Sequence, residues 1–233
     1  MAGVTAEDAE VCPLSPAPVT QEVVRDHPIF TESIRRIRVL LGDTGLDPLQ
    51  QQVLERLVHS SGDPGLAPLL RFSDGACERG LKALQAGAAI LTDTAMAAAA
   101  VSPMARRTGG NAVCGLLDWA PEHAPEGSTR SAAAMARAWT ELTDRADEAG
   151  APMPVVLVGS APTALEQLLD QLDAGASAPS LVIGMPVGFV GVPESKRRLA
   201  CTDLAQIRLE GTRGGAGLVA AACNALLRAV ALG

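Results

Sequence analysis

Apolar positions recur at helical spacing through the first third of the chain and then change to short unbroken runs. In "HPIFTESIRRIRVLLG", Ile29, Phe30, Ile34, Ile37, Leu40 and Leu41 fall near the period of one helical face, and the run stops at Gly42. "DPLQQQVLERLVHSSG" predicts a second helix, with Asp47 as cap, Pro48 in the first turn, Leu49, Val53, Leu57 and Val58 on one side, and a stop at Gly62. "SDGACERGLKALQAG" predicts a third, from a Ser73 cap to Gly87. Beyond it come "AAILTD" (88–93), "NAVCGL" (111–116), "PVVLVGS" (154–160), "SLVIGM" (180–185) and "AQIRLEG" (205–211), most followed by a helix-forming stretch. Short strands that are apolar throughout must be covered on both faces, and their alternation with helices implies parallel pairing. The prediction is α/β: one three-layer α/β/α domain with a mainly parallel sheet.

Length agrees with that picture, since 233 residues suit one such domain. The domain is expected over 21–233, and the acidic, Pro-containing segment 1–20 is expected to be a flexible tail. Hydrophobic residues make up 48% but aromatics only 2%, with no Tyr, so the core has to be built from Ala, Leu and Val. The Ala-rich C-terminal stretch "GGAGLVAAACNALLRAV" suits either core or a subunit contact. A net charge of −7 argues against a nucleic-acid backbone or an anionic membrane as partner, because both need a basic face. A small anionic ligand stays open, since a few arginines and helix N-termini can hold one whatever the net charge. The five cysteines are odd in number, dispersed and never in a C-x-x-C pair, so they read as reduced thiols, with no metal site. No signal peptide and no membrane-length apolar run is present, and a cytoplasmic location is expected.

In open parallel sheets, ligands bind beyond the carboxyl ends of the strands. Here those ends are Asp93, the run Gly159 to Thr163 (with Ser160, Ala161 and Thr163), the run Gly184-Met185-Pro186-Val187-Gly188, and Gly211 to Gly217. "GMPVGFVGVPESK" reads as a strand end and a mobile, close-approach loop whose Glu194 and Ser195 cap the next helix; a crossover loop without a ligand fits the spacing equally. "GTRGGAG" is not G-x-G-x-x-G, and no P-loop exists, so nucleotide binding is a weak reading. His59 ends an amphipathic helix, where the helix C-terminus favours the imidazolium and so an acid role. A histidine satisfied by a carbonyl is the plainer alternative. Thr129, Arg130 and Ser131 open a helix and could clamp a carboxylate, or could be a cap beside a surface Arg. The cysteines have no evident base partner, which leaves little for a nucleophilic thiol.

"RLVHSSG" (56–62), "AILTD" (89–93), "GNAV" (110–113), "STRSAAA" (128–134), "GSAPTAL" (159–165), "GMPVGFVGVPESK" (184–196) and "GTRGGAG" (211–217) together resemble the precorrin-8X methylmutase (precorrin isomerase) family of corrin biosynthesis. The resemblance runs from about residue 22 to the C-terminus. It implies a homodimeric α/β/α isomerase with no metal or organic cofactor. Precorrin-8X, or the product hydrogenobyrinic acid, would be bound between subunits. It also implies His59 as proton or hydrogen-bond donor to the macrocycle. On that basis the loop would be a wall of the cleft, from Gly184, Met185, Pro186, Val187, Gly188 and Phe189 to Glu194, with Ser195 and Lys196 meeting substrate carboxylates. Thr92-Asp93-Thr94-Ala95-Met96 departs from the family's usual Cys-Asp-x-Glu-Met, and Ser128 and Ser160 stand where Asn is usual. A non-catalytic corrinoid carrier on the same fold is the alternative, and turnover separates the two.

Overall fold

A computed structural model describes Cys12 and residues 26–232. Local signals set most helix starts. Helix α1 (Pro28–Leu41) begins after His27, whose Nδ1 accepts the Ile29 N–H at 3.2 Å. Helix α2 (Pro48–Ser61) begins after Asp47, whose Oδ1 accepts the N–H groups of Leu49 and Gln50 at 2.8 and 3.0 Å. It ends at Gly62 in the left-handed region. Helix α3 (Ala76–Gln85) starts later than its sequence suggests, with Gly75 at the cap position. Ser73 is used elsewhere. Its hydroxyl donates to the Leu204 carbonyl at 3.0 Å and accepts the Gln206 N–H at 2.9 Å, stitching this segment to the last strand.

Each of the five apolar runs contains a strand: β2 (Ile90–Thr92), β3 (Val113–Gly115), β4 (Val155–Val158), β5 (Leu181–Gly184) and β6 (Gln206–Leu209). A sixth, β1 (Leu70–Phe72), was not expected; it is three residues long and pairs antiparallel to β6 at the sheet edge. The order is β1-β6-β5-β4-β2-β3, with every pairing but the first parallel. The chain passes from β2 outward to β3 and returns to place β4 on the other side of β2. The strand order therefore reverses between β2 and β4, the kind of crevice where open sheets bind ligands.

Helices α4 (Ala95–Arg107), α5 (Arg130–Ala149), α6 (Pro162–Asp173), α7 (Val192–Ala200) and α8 (Ala216–Leu232) complete the layers. Val155 and Leu157 point into a core shared with α2, α3, α4 and α8, while Val156 and Val158 point into one shared with α5, α6 and α7. One face of helix α8 belongs to the core. Val219, Ala220, Ala222, Cys223, Leu226 and Leu227 are all buried, and its alanines let α2 and α4 approach closely. Burial pushes the thiols of Cys77 and Cys223 up to about 12, which leaves them inert at neutral pH.

The cysteine reading needs one correction. Cys12 and Cys114 are disulfide-bonded, with Cα atoms 5.6 Å apart across a separation of 102 residues, and Arg145 donates to the Cys12 carbonyl at 2.9 Å. Spacing along the chain carries no signal for a pair brought together only by the fold. The rest of the expected tail lies outside the described residues. No described helix is long and apolar enough to cross a membrane.

Candidate active site

His59 lies half-buried in the last turn of α2, with its Nδ1 2.8 Å from the Ser33 hydroxyl of α1. The edge of the Phe30 ring meets the imidazole at 5.1 Å between centroids and 79° between planes. Arg56, one turn earlier and so on the same face of α2, holds its guanidinium 5.1 Å from the Phe30 centroid, and Arg228 of α8 does so at 5.5 Å. Burial, and then the Arg56 charge, lower the His59 pKa below its ordinary value. This corrects the expectation of an imidazolium stabilised by the helix end. The carbonyls that would supply that field are already engaged, Val58 by the Gly62 N–H and Leu57 by the Ser61 hydroxyl. A neutral ring is the form to consider at neutral pH. When the Ser33 hydroxyl donates to Nδ1, the ring hydrogen sits on Nε2, which has no hydrogen-bond partner among the described residues.

A cavity of about 900 Å³ opens beside this cluster between α1, α2 and the C-terminal half of α8, with Phe30, Arg56 and Arg228 in its wall. That volume is at the upper end for small-molecule sites.

The strand-end candidates form a second group. Asp93, 2% exposed at the end of β2, accepts with Oδ2 the N–H groups of Gly159, Ser160 and Ala161 at 3.0, 2.6 and 2.8 Å. The crevice at the strand-order reversal is thus filled by the protein's own carboxylate, and those donors are not available to a ligand anion. Burial pushes the Asp93 carboxyl above its ordinary range while the three N–H groups pull it down. Removing this acceptor leaves the buried Gly159 N–H and the part-buried N–H groups of Ser160 and Ala161 without their partner. Asp93→Ala is therefore expected to cost about 2 to 3 kcal/mol, and Asp93→Asn, which keeps an acceptor oxygen, less than half of that. Thermal unfolding of the two variants checks the ranking.

Thr129 caps α5 through the Ala132 N–H at 3.1 Å, and its hydroxyl lies 2.7 Å from that of Thr163, so the two predicted loops do meet. Arg130 and Ser131 follow in the first turn. Arg130 is exposed and donates to the Pro121 carbonyl at 2.8 Å, fastening its own loop. No hydrogen bond joins this group to His59 among the described residues; the partner of His59 is Ser33.

The precorrin-8X methylmutase family model matches residues 28–229. The chain belongs to the precorrin-8X methylmutase family. It is 39% identical over 210 residues to the precorrin-8X methylmutase of Pseudomonas aeruginosa, covering 88% of this chain and 97% of that protein. It is 33% identical over 216 residues to the cobalt-precorrin-8 methylmutase of Synechocystis, covering 87% and 95%. A crystal structure of precorrin-8X methylmutase from Thermus thermophilus superposes with a TM-score of 0.75 at 42% identity, covering 87% of this chain and 95% of that one.

In this member of the methylmutase family, the loop from Gly184 to Lys196 is tied to its neighbours by backbone. Met185 N–H donates to Val158 at 2.9 Å, Val187 to Gly159 at 3.2 Å and Gly188 to Thr212 at 3.1 Å, while Gly215 donates to Met185 at 2.9 Å. Met185 and Pro186 are buried; Val187, Phe189 and Val190 are exposed. Gly191, not Glu194 or Ser195, occupies the cap position of α7. Glu194 pairs with Arg197 at 2.9 Å on the surface, and the buried Ser195 donates to the Val192 carbonyl at 3.0 Å. Lys196 is 3% exposed and donates to the carbonyls of Gly211 and Arg213 at 2.9 and 2.6 Å, with burial pulling its pKa down to about 8. Neither Ser195 nor Lys196 points to a cleft. Lys196 clips α7 to the following glycine loop, while the Ser195 bond stays within the first turn of α7. The residues missed from the sequence are Ser33, Arg56 and Arg228, with Phe30 taken only as an apolar position. The spacing of Arg56 from His59 was the available signal.

Proposed function

We propose that this methylmutase isomerises precorrin-8X, moving the methyl group from C11 to C12 of the macrocycle to give hydrogenobyrinic acid, or performs the same shift on the cobalt-containing ring. The observation that carries the reading is His59, fixed by Ser33 and Phe30 with Nε2 available, beside a cavity lined by arginine. In a 1,5-shift the bond from C11 to the methyl breaks as the bond to C12 forms, and the π-system redistributes the electrons. No external nucleophile enters. The protein has to hold the ring and stabilise the charge that develops on it, for which a positioned neutral N–H donor suffices.

Absorbance at the hydrogenobyrinic acid chromophore, after mixing excess protein with precorrin-8X, tests the reading. Conversion within one turnover supports it, and tight binding of product without conversion would leave a corrinoid carrier.

The same reading includes a homodimer with the site at the subunit interface. What supports it is the apolar group Val187, Phe189 and Val190, of which Phe189 is 84% and Val190 90% exposed, on a loop whose backbone is otherwise held in place. Sedimentation at micromolar concentration is expected to give a dimer, and Phe189→Asp with Val190→Asp a monomer. A cytoplasmic location belongs to this reading too. Cys77, Cys201 and Cys223 are unpaired, while the Cys12–Cys114 bond is the feature that a reducing compartment would open.

A further inference from the structure

Helix α1 brings Ser33 and Phe30 to His59, yet little of the helix is buried: Ile37 is, and Ile34 and Leu41 pack partly buried against the core. A second polar tie joins it to α2. The Glu55 side chain is 3% exposed, and its carboxylate accepts Nε and Nη2 of Arg38 at 2.7 and 3.0 Å and Nε2 of Gln51 at 2.9 Å. Gln51 in turn accepts from the Thr44 hydroxyl at 2.5 Å, so the connection between the two helices is fastened to the same network. A buried carboxylate has to be met by donors, and a two-bond fork is satisfied at one placement of the helix that bears it. With its Nε edge taken, Arg38 is committed to α2. Arg38 follows Ser33 along α1, whereas Glu55 precedes His59 along α2, so the two ties run in opposite order along the helices. They stand about 6 to 7.5 Å apart along each axis, roughly one turn. One tie alone would let α1 turn about it, and the second removes that freedom.

We propose that Arg38 and Glu55 are positioning residues for the reaction: their buried fork sets α1 on α2 so that the Ser33 hydroxyl stays on His59 Nδ1 and the ring keeps its hydrogen on Nε2. They act through Ser33, and their loss is felt at the imidazole as a donor that has drifted out of reach. The effect on rate rests on the methylmutase reading, while the effect on the ring stands without it.

The experiment is nitrogen-15 NMR of the histidines in the full-length protein, with His59 assigned by its loss in His59→Ala. It reads the tautomer and pKa of the ring in wild type, Glu55→Gln, Arg38→Gln and Arg38→Lys, beside single-turnover rates with precorrin-8X. The wild-type ring is expected to carry its hydrogen on Nε2, with a pKa below 6.5. Glu55→Gln and Arg38→Gln should each mix the tautomers, raise that pKa toward 6.5 and lower the rate about 3- to 10-fold. Arg38→Lys should lie nearer wild type, because an ammonium keeps the charge but not the fork. Since Glu55 acts through Ser33, adding Glu55→Gln to Ser33→Ala should lower the rate by less than about twofold more. Losses that multiply in that double variant overturn the proposal. So does a wild-type tautomer and pKa kept in Glu55→Gln, whatever its melting temperature, which would mark a structural role only. A wild-type ring with its hydrogen on Nδ1 overturns it as well. The Arg38 side chain is 61% exposed, so Arg38→Gln decides the matter if Glu55→Gln does not fold. Failure of the wild type to convert precorrin-8X would sink the methylmutase reading instead, since the ring is read without substrate.

Discussion

His59→Ala is expected to lower the single-turnover rate about 10²- to 10⁴-fold while leaving product binding within a few-fold, because the lost group acts on the transition state. The side chain is half-buried and its one hydrogen bond among the described residues is to Ser33, so the fold should lose only about 1 kcal/mol. Ser33→Ala should cost less, about tenfold, since Ser33 acts through the tautomer it selects. The pH profile separates a neutral donor from an imidazolium acid. Burial and Arg56 hold the pKa below 6.5, so the neutral ring persists to lower pH than for a free histidine. Protonation would put the ring's second hydrogen on Nδ1, which could then only donate to the Ser33 hydroxyl. For a neutral donor, kcat/KM of the wild type therefore falls as pH drops through a value under 6.5 and stays flat above it. A fall on the alkaline side instead would make the imidazolium the acid and overturn this role.

What could be read from the sequence was local. Asp47, Pro48 and Gly62 bound α2 as expected because a cap and a left-handed stop depend only on neighbouring residues. Strands β2, β4 and β5 were legible because burial on both faces demands unbroken apolar runs. β1 was not, since three residues carry no period and its pairing with β6 is decided by the fold. The same limit runs through the site. His59 was legible as a residue, but its ionisation depends on α1 packing over it and on Arg56 one turn away. Asp93 is a ligand candidate in the sequence because it ends a strand, and Lys196 because the family resemblance makes its loop a wall of the cleft. Direction is not written in the sequence, and both turn inward to backbone groups of adjacent loops.

The glycines make the same point with the largest structural consequence. Gly159, Gly184 and Gly214 looked like places where backbone approaches a ligand, yet at Gly159 and Gly214 the approach is of loop to loop. A Cβ on Gly159 would stand 2.7 Å from the Ala216 nitrogen. A Cβ on Gly214 would be driven into the Met185 carbonyl oxygen, with the Met185 carbonyl carbon and the Pro186 oxygen each at 2.7 Å. These neighbours are backbone atoms that no rotamer change can move. The Met185 carbonyl is also the acceptor for the Gly215 N–H, and Lys196 grips the carbonyls just before Gly214, so a shift of the loop breaks contacts on both sides. Gly214→Ala is accordingly expected to cost at least about 4 kcal/mol, above the usual 1 to 3 kcal/mol of overpacking, which lowers the melting temperature by about 8 to 16 °C in a chain of this size. Gly217→Ala, at a position where a Cβ meets nothing within 4 Å, is the control and should melt within about 2 °C of wild type. Equal melting of Gly214→Ala and wild type would mean the two loops are not packed as described, and would return them to the role of ligand contacts.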